Sequence, residues 1–379
     1  MTIGILGGGQ LGYMLALAGY PLDLHFRFLD PSPQAPVGRI ATRVTAEYTD
    51  FDALEKFAHG LALVTYEFEN VPVEAARFLQ KIVPVYPPPQ ALEVAQDRLS
   101  EKSLFQKLAI PTTEFAAVNS AKGLQDAVRK LGLPAILKTC RLGYDGKGQW
   151  VLRTTEDVEA VRKEFPSTPL VLEKFVNFSR ELSILAVRGR SGETAFYPLV
   201  ENHHRGGILR LSLAPAPNLA AKLQAEAEAA ARHVLEALDY VGVLAIELFE
   251  YDGRLLANEM APRVHNSGHW SIEGAVTSQF ENHLRAVTGL PLGDTRTSGH
   301  SAMLNLIGEL PESADILAVS DAHLHVYGKS LRPGRKVGHV TLRADSATQL
   351  ARCLRCLPAF FQRPEYCLPE SLAKHSKSL

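Results

Sequence analysis

The sequence has almost no net charge, few cysteines and no long apolar run. Its 379 residues carry 40 Lys and Arg against 41 Asp and Glu, a formal net charge of -1. Such a chain has no global field that would attract nucleic acid or an anionic membrane, so any anion site must be local. No apolar run is long enough to span a bilayer, and the N-terminus opens with a strand pattern instead of a cleavable signal. We therefore expect a cytoplasmic protein without nucleic-acid or membrane partners.

Four cysteines are too few for a disulfide framework in a chain of this size. Cys353 and Cys356 form a CxxC pair, but the apolar spacing around them is typical of a core-packed helix, and no second ligand pair lies nearby. We interpret both as buried structural thiols. The composition, 46% hydrophobic and 21% charged, is that of a globular protein with room for two or three domains.

A glycine-rich stretch follows an apolar strand pattern that ends at Lys138. Gly143, Gly146 and Gly148 precede a second strand pattern at 150–152, which predicts a hairpin with a conformationally free tip. Backbone N–H groups of such a tip can approach phosphate oxygens while the lysine supplies a positive charge. Taken alone, the stretch could equally be a plain turn.

The first segment has the pattern strand, glycine turn, helix. Gly7, Gly9 and Gly12 form GxGxxG, and Asp30 ends the next strand pattern about twenty residues later. This arrangement predicts an anion site at a helix N-terminus and leaves a nicotinamide-dependent oxidoreductase open as an alternative. A later strand pattern delivers Glu67, which either faces the ligand crevice or caps the following helix.

Two apolar strand patterns near the middle of the chain carry carboxylates. Glu247 lies within 243–249 and Glu259 within 255–260, and the short turn between the strands makes the two side chains neighbours. Like charges this close raise each other's pKa and destabilise the fold unless a cation lies between them. Mg²⁺ prefers carboxylate oxygens and leaves coordination positions for phosphate. The pair therefore predicts a Mg²⁺ site, which Mn²⁺ could also occupy.

Further segments have the chemistry to contact a nucleotide or a second substrate. The strand pattern that runs into 173–176 suits an adenine slot, where linker backbone groups read the ring edge. His203 and His204 are adjacent on a strand, so at most one of them enters a given site. A basic patch near the C-terminus is either a solvated face or a phosphate clamp. Its members are Lys329, Arg332, Arg335 and Lys336.

The order of these features resembles the ATP-grasp carboxylate–amine ligases. Within that superfamily the chain is similar to the 5-(carboxyamino)imidazole ribonucleotide synthase family of purine biosynthesis, over nearly its whole length. The matching words are GGGQLG at 7–12, YEFENVP at 66–72, GYDGKGQ at 143–149, NEMAPRVHNSGHW at 258–270, and YGK and RPGRKVGH within 327–339. Cys140 and Leu142 depart from the family pattern, which has Arg and Gly there. A leucine in place of the glycine would stiffen the loop.

The resemblance implies an α/β ATP-grasp fold with an N-terminal Rossmann-like pre-grasp domain and a small β-rich C-terminal domain. The implied domains are 1–96, 97–300 and 301–379. The middle one divides into a phosphate-loop lid at 111–181 and a metal-binding part at 182–300. The family also implies a homodimer.

The resemblance further implies three sets of site residues. ATP would be held by Arg98, Lys138, Gly143, Tyr144, Asp145, Gly146, Lys147, Gly148, Gln149, Glu173, Lys174, Phe175, Val176, Glu181, His204, Asn258 and Glu259. Mg²⁺ would be held by Glu247 and Glu259. The ribonucleotide would be held by Gln10, Leu11, Glu69, Asn266, Lys329, Arg335 and Lys336. Of the implied catalytic residues, Lys138 and Arg263 would offset charge on the transferred phosphoryl group, and Asp145 would take or position a proton.

The implied reaction joins bicarbonate to the amine of 5-aminoimidazole ribonucleotide, driven by ATP through carboxyphosphate, and releases ADP and phosphate. A formate-dependent ribonucleotide ligase is an alternative of the same fold, but it has Glu where this chain has Gln10. The oxidoreductase alternative gives Lys138, Glu247 and Glu259 no role. A non-catalytic ATP sensor is the third alternative.

Overall fold

The computed structural model describes residues 1–143 and 148–366. Its first unit has strands β1 (Thr2–Leu6), β2 (His25–Leu29), β3 (Thr42–Val44) and β4 (Leu63–Tyr66), and helices α1 (Gln10–Gly19), α2 (Phe51–Ala58), α3 (Val73–Gln80) and α4 (Pro89–Ala95). The strands form a parallel sheet in the order β3-β2-β1-β4. Apolar side chains such as Ile5 and Phe28 are fully buried, as expected for parallel strands covered on both faces.

The second unit is a small antiparallel sheet with two helices against it. It comprises α5 (Arg98–Lys107), β5 (Phe115–Val118), α6 (Ala121–Leu131), β6 (Ala135–Thr139), β7 (Gln149–Leu152), α7 (Thr155–Lys163) and β8 (Leu170–Lys174). The strand order is β5-β8-β6-β7, so β6 and β7 form the hairpin predicted from the glycine-rich stretch. Leu124, Leu137 and Leu172 belong to the core of this unit.

The third unit contains a large antiparallel sheet. Its elements are β9 (Arg180–Arg188), β10 (Thr194–Phe196), β11 (Val200–Arg205), β12 (Ile208–Ala214), α8 (Ala221–Ala237), β13 (Gly242–Tyr251), β14 (Arg254–Ala261), α9 (Ser271–Gly274), α10 (Gln279–Thr288), β15 (His300–Ile307), α11 (Ser313–Leu317), β16 (Ala322–Val326), β17 (Lys336–Ala344) and α12 (Ala347–Cys356). The sheet has the order β14-β13-β9-β11-β12-β15-β17-β16, and β10 pairs with β9. The C-terminal strands thus extend the sheet that carries Glu247 and Glu259.

The first and third units share one hydrophobic core. Helix α1 packs against α10, and Leu15 and Phe28 lie in the same cluster as Trp270 and Leu284. This packing brings the glycine turn before α1 next to the basic turn that joins β16 to β17. The contact between the two units therefore places residues from both ends of the chain along one cleft.

Two predictions about the chain are tested away from the cleft. No helix in the described ranges is long and apolar enough to cross a membrane. The interpretation of the CxxC pair as buried thiols is wrong for Cys356, which is exposed at the end of α12, and Cys353 is only half-buried. The helix was predicted correctly, but Leu350 and Leu354 occupy its core face, whereas Cys356 lies on the opposite, exposed face.

Leu142, at the base of the hairpin loop, adopts an unusual backbone conformation. Its φ angle is +59°, in the left-handed region that favours glycine, and the side chain is 74% exposed. The resemblance implied a glycine at this position, and the backbone has the conformation that glycine adopts freely.

We expect Leu142→Gly to be more stable than Leu142→Ala by about 1 kcal/mol, because only glycine avoids the left-handed penalty. Both changes remove the same exposed side chain, so alanine controls for its loss. Denaturant unfolding measures the difference. A glycine variant less stable than the alanine variant would contradict this explanation.

Candidate active site

The candidate site lies in the cleft between the small sheet and the large sheet. Thr112, before β5, donates its hydroxyl to the carbonyl of Ala257 on β14 at 2.7 Å, and the Ala257 amide donates to Pro111 at 2.7 Å. These bonds fix one sheet against the other. Helix α5 packs against β14 and supplies charged side chains to the cleft.

Glu247 and Glu259 are direct cross-strand partners on β13 and β14. Both side chains are partly exposed to the cleft, by 20% and 40%. Burial and the neighbouring Glu259 raise the pKa of Glu247 to about 7. Burial opposes ionisation of Glu259 as well, but Arg98 brings its pKa down to about 2. Arg98 pairs with Glu259, and no arginine among the described residues pairs with Glu247, so the two carboxylates share one arginine, an arrangement that suits a divalent cation.

Arg98 connects this acidic pair to the phosphate loop. Its Nη1 lies 2.9 Å from Glu259 Oε2, and its Nη2 donates to the carbonyl of Gly143 at 3.4 Å. The Arg98 amide also donates to Cys140 at 3.0 Å. The predicted ATP residues Arg98, Gly143 and Glu259 are therefore in direct contact, and Arg98 is a cleft residue and not a solvated one.

Lys138 and Glu173 form an ion pair on the floor of the small sheet. Lys138 Nζ lies 3.0 Å from Glu173 Oε2, and Lys102 Nζ lies 3.4 Å from the same oxygen. Burial disfavours the charged form of Glu173, but Lys138 and Lys102 hold its pKa below the usual range. Glu173 Oε1 is buried and has no hydrogen-bond partner among the described residues. It is therefore a free acceptor for an N–H donor such as an exocyclic amine.

Two buried charges on α5 were not predicted from the sequence as site residues. Lys102 is 1% exposed and also donates to the carbonyl of Asn258 at 3.3 Å. Glu101 is 2% exposed and accepts from the Met260 amide at 2.6 Å. Burial and Glu259 raise the pKa of Glu101 to about 8. Together they attach α5 to the strand that carries Asn258 and Glu259.

The linker after β8 contributes mainly its backbone. Lys174 directs its ammonium away from the cleft to Glu114 Oε1 at 2.7 Å. The amides of Lys174 and Phe175 donate to carbonyls of Glu114 and Pro134. The amide of Val176, the next residue of this linker, has no backbone hydrogen bond within the described residues. The adenine-slot prediction for 173–176 stays a prediction, with the Val176 amide as its candidate donor.

Glu181 on β9 and His204 on β11 also face each other, with His204 Nδ1 2.5 Å from Glu181 Oε2. Burial lowers the pKa of His204, but Glu181 outweighs this effect and raises it overall. His203 instead pairs with Glu201 at 2.9 Å. The two histidines thus have different partners, and His204 is the one that contacts another predicted ATP residue, Glu181.

The glycine turn before α1 is occupied by a carboxylate of the chain itself. Glu67 Oε1 accepts from the Gly9 amide at 2.8 Å, and Oε2 accepts from the Gly12 amide at 3.3 Å. Asp30 Oδ2 accepts from the Gly8 amide at 2.7 Å. Side chains of the chain itself thus supply anions to the amides of Gly8, Gly9 and Gly12, and a ligand anion at this turn stays a prediction. Glu67 also caps the earlier helix α1 and not the following one.

The predicted ribonucleotide residues gather around this turn. Lys329 donates to Gln10 Oε1, and burial lowers the pKa of Lys329 to about 8 despite the nearby Glu67. Arg263 Nη2 lies 2.6 Å from Glu69 Oε2. Leu11 is 6% exposed, so it can reach a ligand only through its backbone.

The remaining predicted residues lie at the rim or outside the described ranges. Asn266 has a buried Oδ1 without a hydrogen-bond partner among the described residues. Arg335 and Lys336 are half-buried at the start of β17. Gly148, at φ +69°, follows the loop tip, and Gln149 is exposed. The predicted residues Tyr144, Asp145, Gly146 and Lys147 lie outside the described residues.

His265 links the acidic pair to the ribonucleotide side and was not among the predicted site residues. Its Nε2 lies 3.5 Å from Glu247 Oε1, and it stands two residues after Arg263. Burial and Arg263 lower the pKa of His265 to about 3, so the imidazole is neutral. In the sequence, His265 could have been identified as a candidate only from its position in the motif NEMAPRVHNSGHW.

The donor set suits a hard divalent cation. Glu247 and Glu259 offer carboxylate oxygens, which Mg²⁺ prefers, and Asn258 Oδ1 is buried without a hydrogen-bond partner in the described ranges. No group of three or more His, Cys, Asp and Glu side chains in the described part of the chain could hold a metal ion by itself. Phosphate oxygens and water would have to complete the coordination sphere.

Three protein families match successive parts of the chain. The ribonucleotide synthetase preATP-grasp domain matches residues 1–96, the ATP-grasp domain matches 103–280, and the phosphoribosylaminoimidazole carboxylase C-terminal domain matches 301–352. The N5-carboxyaminoimidazole ribonucleotide synthase of Pseudomonas aeruginosa is 57% identical over 93% of this chain and 97% of its own. The chain belongs to the N5-carboxyaminoimidazole ribonucleotide synthase family.

Solved structures of this ATP-grasp ligase family agree with the assignment. The synthetase from Thermus thermophilus has a TM-score of 0.92 and 60% identity, covering 97% of this chain and 99% of its own. The synthase from Aspergillus clavatus, solved with ADP and 5-aminoimidazole ribonucleotide, has a TM-score of 0.87 and 29% identity, with 98% of each chain covered. The predicted ATP-grasp fold and family are confirmed, and the oxidoreductase alternative is wrong.

We expect Glu247→Gln to stabilise the metal-free protein at pH 8 by roughly 1–3 kcal/mol. The folded pKa of Glu247 lies above its ordinary value, so ionisation at pH 8 destabilises the folded state, and glutamine removes that charge. The gain should shrink towards pH 5, where the wild-type carboxyl is protonated in the fold.

Denaturant unfolding in a chelator measures this effect. Glu226→Gln, a change of the same type at an exposed position on α8, is the control and should not alter stability. A Glu247→Gln variant less stable than wild type at pH 8 would show that Glu247 has a structural role.

Proposed function

We propose that this chain carboxylates 5-aminoimidazole ribonucleotide with bicarbonate and that Mg-ATP drives the reaction. One observation carries the proposal: a single cleft contains a carboxylate pair beside an arginine, suited to phosphoryl transfer, and a second charged pair on the side where we expect the ribonucleotide. Glu247 and Glu259 lie on the first side with Arg98, and Arg263 paired with Glu69 lies on the second. The Aspergillus relative bound to ADP and 5-aminoimidazole ribonucleotide supports the same pair of ligands.

The reaction follows from the chemistry of bicarbonate, which is a poor electrophile. A bicarbonate oxygen bonds to the γ-phosphorus of ATP, the bond to the bridging oxygen breaks, and ADP leaves. The resulting carboxyphosphate has a carbonyl carbon that the exocyclic amine can attack, directly or after release of CO₂. In the direct route the carbon–oxygen bond to phosphate breaks after the attack, and in the CO₂ route it breaks before. In both routes phosphate leaves with an oxygen that came from bicarbonate, and the amine loses a proton.

The chain's own residues would orient the reactants and offset their charge. Lys138, held at the cleft floor by Glu173, would face phosphate oxygens, and Glu173 Oε1 would accept from the adenine amine. Arg263 would lie between the two sides and offset negative charge on the transferred group. Glu247 and Glu259 would hold Mg²⁺, which neutralises phosphate charge when bound.

The ribonucleotide side would bind through local positive charge. Lys329 lies beside Gln10, Lys336 begins β17, and Arg335 directly precedes it. Together they suit the phosphate group of a ribonucleotide, although the whole chain has a net charge of -1. Asp145 remains a predicted proton acceptor. The homodimer and the cytoplasmic location also remain predictions.

Isotope transfer tests the reaction directly. With ¹⁸O-labelled bicarbonate, Mg-ATP and 5-aminoimidazole ribonucleotide, we expect one labelled oxygen in the released phosphate, seen by its ³¹P shift. Carboxyphosphate formation requires this transfer because the phosphorylated oxygen departs with phosphorus.

The control omits each substrate in turn from degassed buffer, and ADP release should then fall to background. Turnover with formate instead of bicarbonate would move the function to the formate-dependent ligase. ATP binding without any ADP release would favour the ATP sensor. Unlabelled phosphate from a bicarbonate-dependent reaction would rule out carboxyphosphate.

A further inference from the structure

A chain of buried hydrogen bonds runs beneath the cleft and ends at His265. Ser183 on β9 pairs in register with Glu247, so its side chain shares the face of the sheet that carries the acidic pair. The other members are Ser212, Asn202 and Ser267. None of these four side chains is more than 5% exposed.

The contacts are short and continuous. Ser212 Oγ lies 2.8 Å from Asn202 Oδ1, and Asn202 Nδ2 lies 2.9 Å from Ser183 Oγ. Ser183 Oγ lies 2.8 Å from Ser267 Oγ, which in turn lies 2.9 Å from His265 Nδ1. The chain therefore spans three strands of the sheet and the loop after β14.

One backbone amide determines the direction of every bond. The Ser267 N–H donates to His265 Nδ1 at 3.3 Å, so Nδ1 must be unprotonated. The Ser267 hydroxyl must then donate to Nδ1 as well, which uses its only hydrogen. By the same reasoning Ser183 donates to Ser267, the Asn202 amide donates to Ser183, and Ser212 donates to Asn202.

The ring is held in place by a second set of contacts. Gln279, fully buried on α10, accepts from the His265 amide at 2.8 Å and donates to the His265 carbonyl at 2.6 Å. The neutral imidazole then carries its hydrogen on Nε2, the atom that faces Glu247.

We propose that Ser267 is a positioning residue that holds His265 in its Nε2–H tautomer, and that Ser183, Asn202 and Ser212 keep the Ser267 hydroxyl directed at Nδ1. The ring then presents a hydrogen-bond donor, and not an acceptor, to an anionic oxygen beside Glu247. A neutral donor can bind such an oxygen without bringing a further titrating charge into the cleft. The effect on turnover rests on the proposed function, whereas the tautomer itself does not.

The tautomer is measured in the full-length wild-type enzyme labelled with ¹⁵N-histidine. Long-range ¹H–¹⁵N spectra distinguish the protonated from the unprotonated ring nitrogen, and the His265 signals are identified by their loss in His265→Gln. We expect an unprotonated Nδ1 and a protonated Nε2. The opposite assignment in the wild type would overturn the proposal, and this result requires no other variant to fold.

Ser267→Ala removes the hydroxyl that donates to Nδ1 at 2.9 Å and leaves only the longer amide contact at 3.3 Å. We expect a mixture of tautomers, with kcat about 10-fold lower and the KM for Mg-ATP unchanged. Ser301→Ala is the matched control, because Ser301 is 1% exposed and its Oγ has no hydrogen-bond partner among the described residues. It should leave both the spectrum and kcat unchanged.

A Ser267→Ala spectrum identical to wild type would show that the hydroxyl at the end of this hydrogen-bond chain does not hold the tautomer, which would overturn the proposal. A mixed spectrum in an enzyme that fails the ¹⁸O transfer would support the positioning role while rejecting the proposed reaction. The two hypotheses can therefore fail separately.

Discussion

The cleft is built around two carboxylates that face each other on paired strands. Glu247 and Glu259 are direct partners across β13 and β14, and neither can leave the cleft without breaking the strand register. Arg98 compensates one of them, which brings the pKa of Glu259 to about 2 while that of Glu247 stays near 7. The remaining negative charge lowers the free energy of unfolding, and a bound divalent cation would offset that loss.

Other parts of the site can be understood as responses to this constraint. Helix α5 supplies Arg98 to Glu259 and attaches Lys102 to Glu173, so one helix joins the acidic pair to the Lys138 ion pair. The loop after β14 places Arg263 in contact with Glu69 and His265 near Glu247. Two strands and one helix thus position both sides of the cleft.

The sequence was sufficient where a local pattern determines the structure. Alternation and glycine spacing predicted the β6–β7 hairpin, and apolar strands with one carboxylate each predicted the pairing of Glu247 with Glu259. It was insufficient where burial arises only from tertiary packing. Glu101 and Lys102 look like an ordinary charged helix face, yet both are buried because α5 packs against β14. Likewise, no local signal shows that Glu67 fills a glycine turn about sixty residues earlier.

The most direct test of this account is the binding of a divalent cation by the acidic pair. Mn²⁺ binding, followed by the electron paramagnetic resonance of the free ion, should tighten about tenfold when ADP is present. Glu259→Gln should abolish that tightening, and Glu226→Gln should not. Wild-type Mn²⁺ affinity in Glu259→Gln, with and without ADP, would show that the paired glutamates do not bind the metal, and would contradict the account.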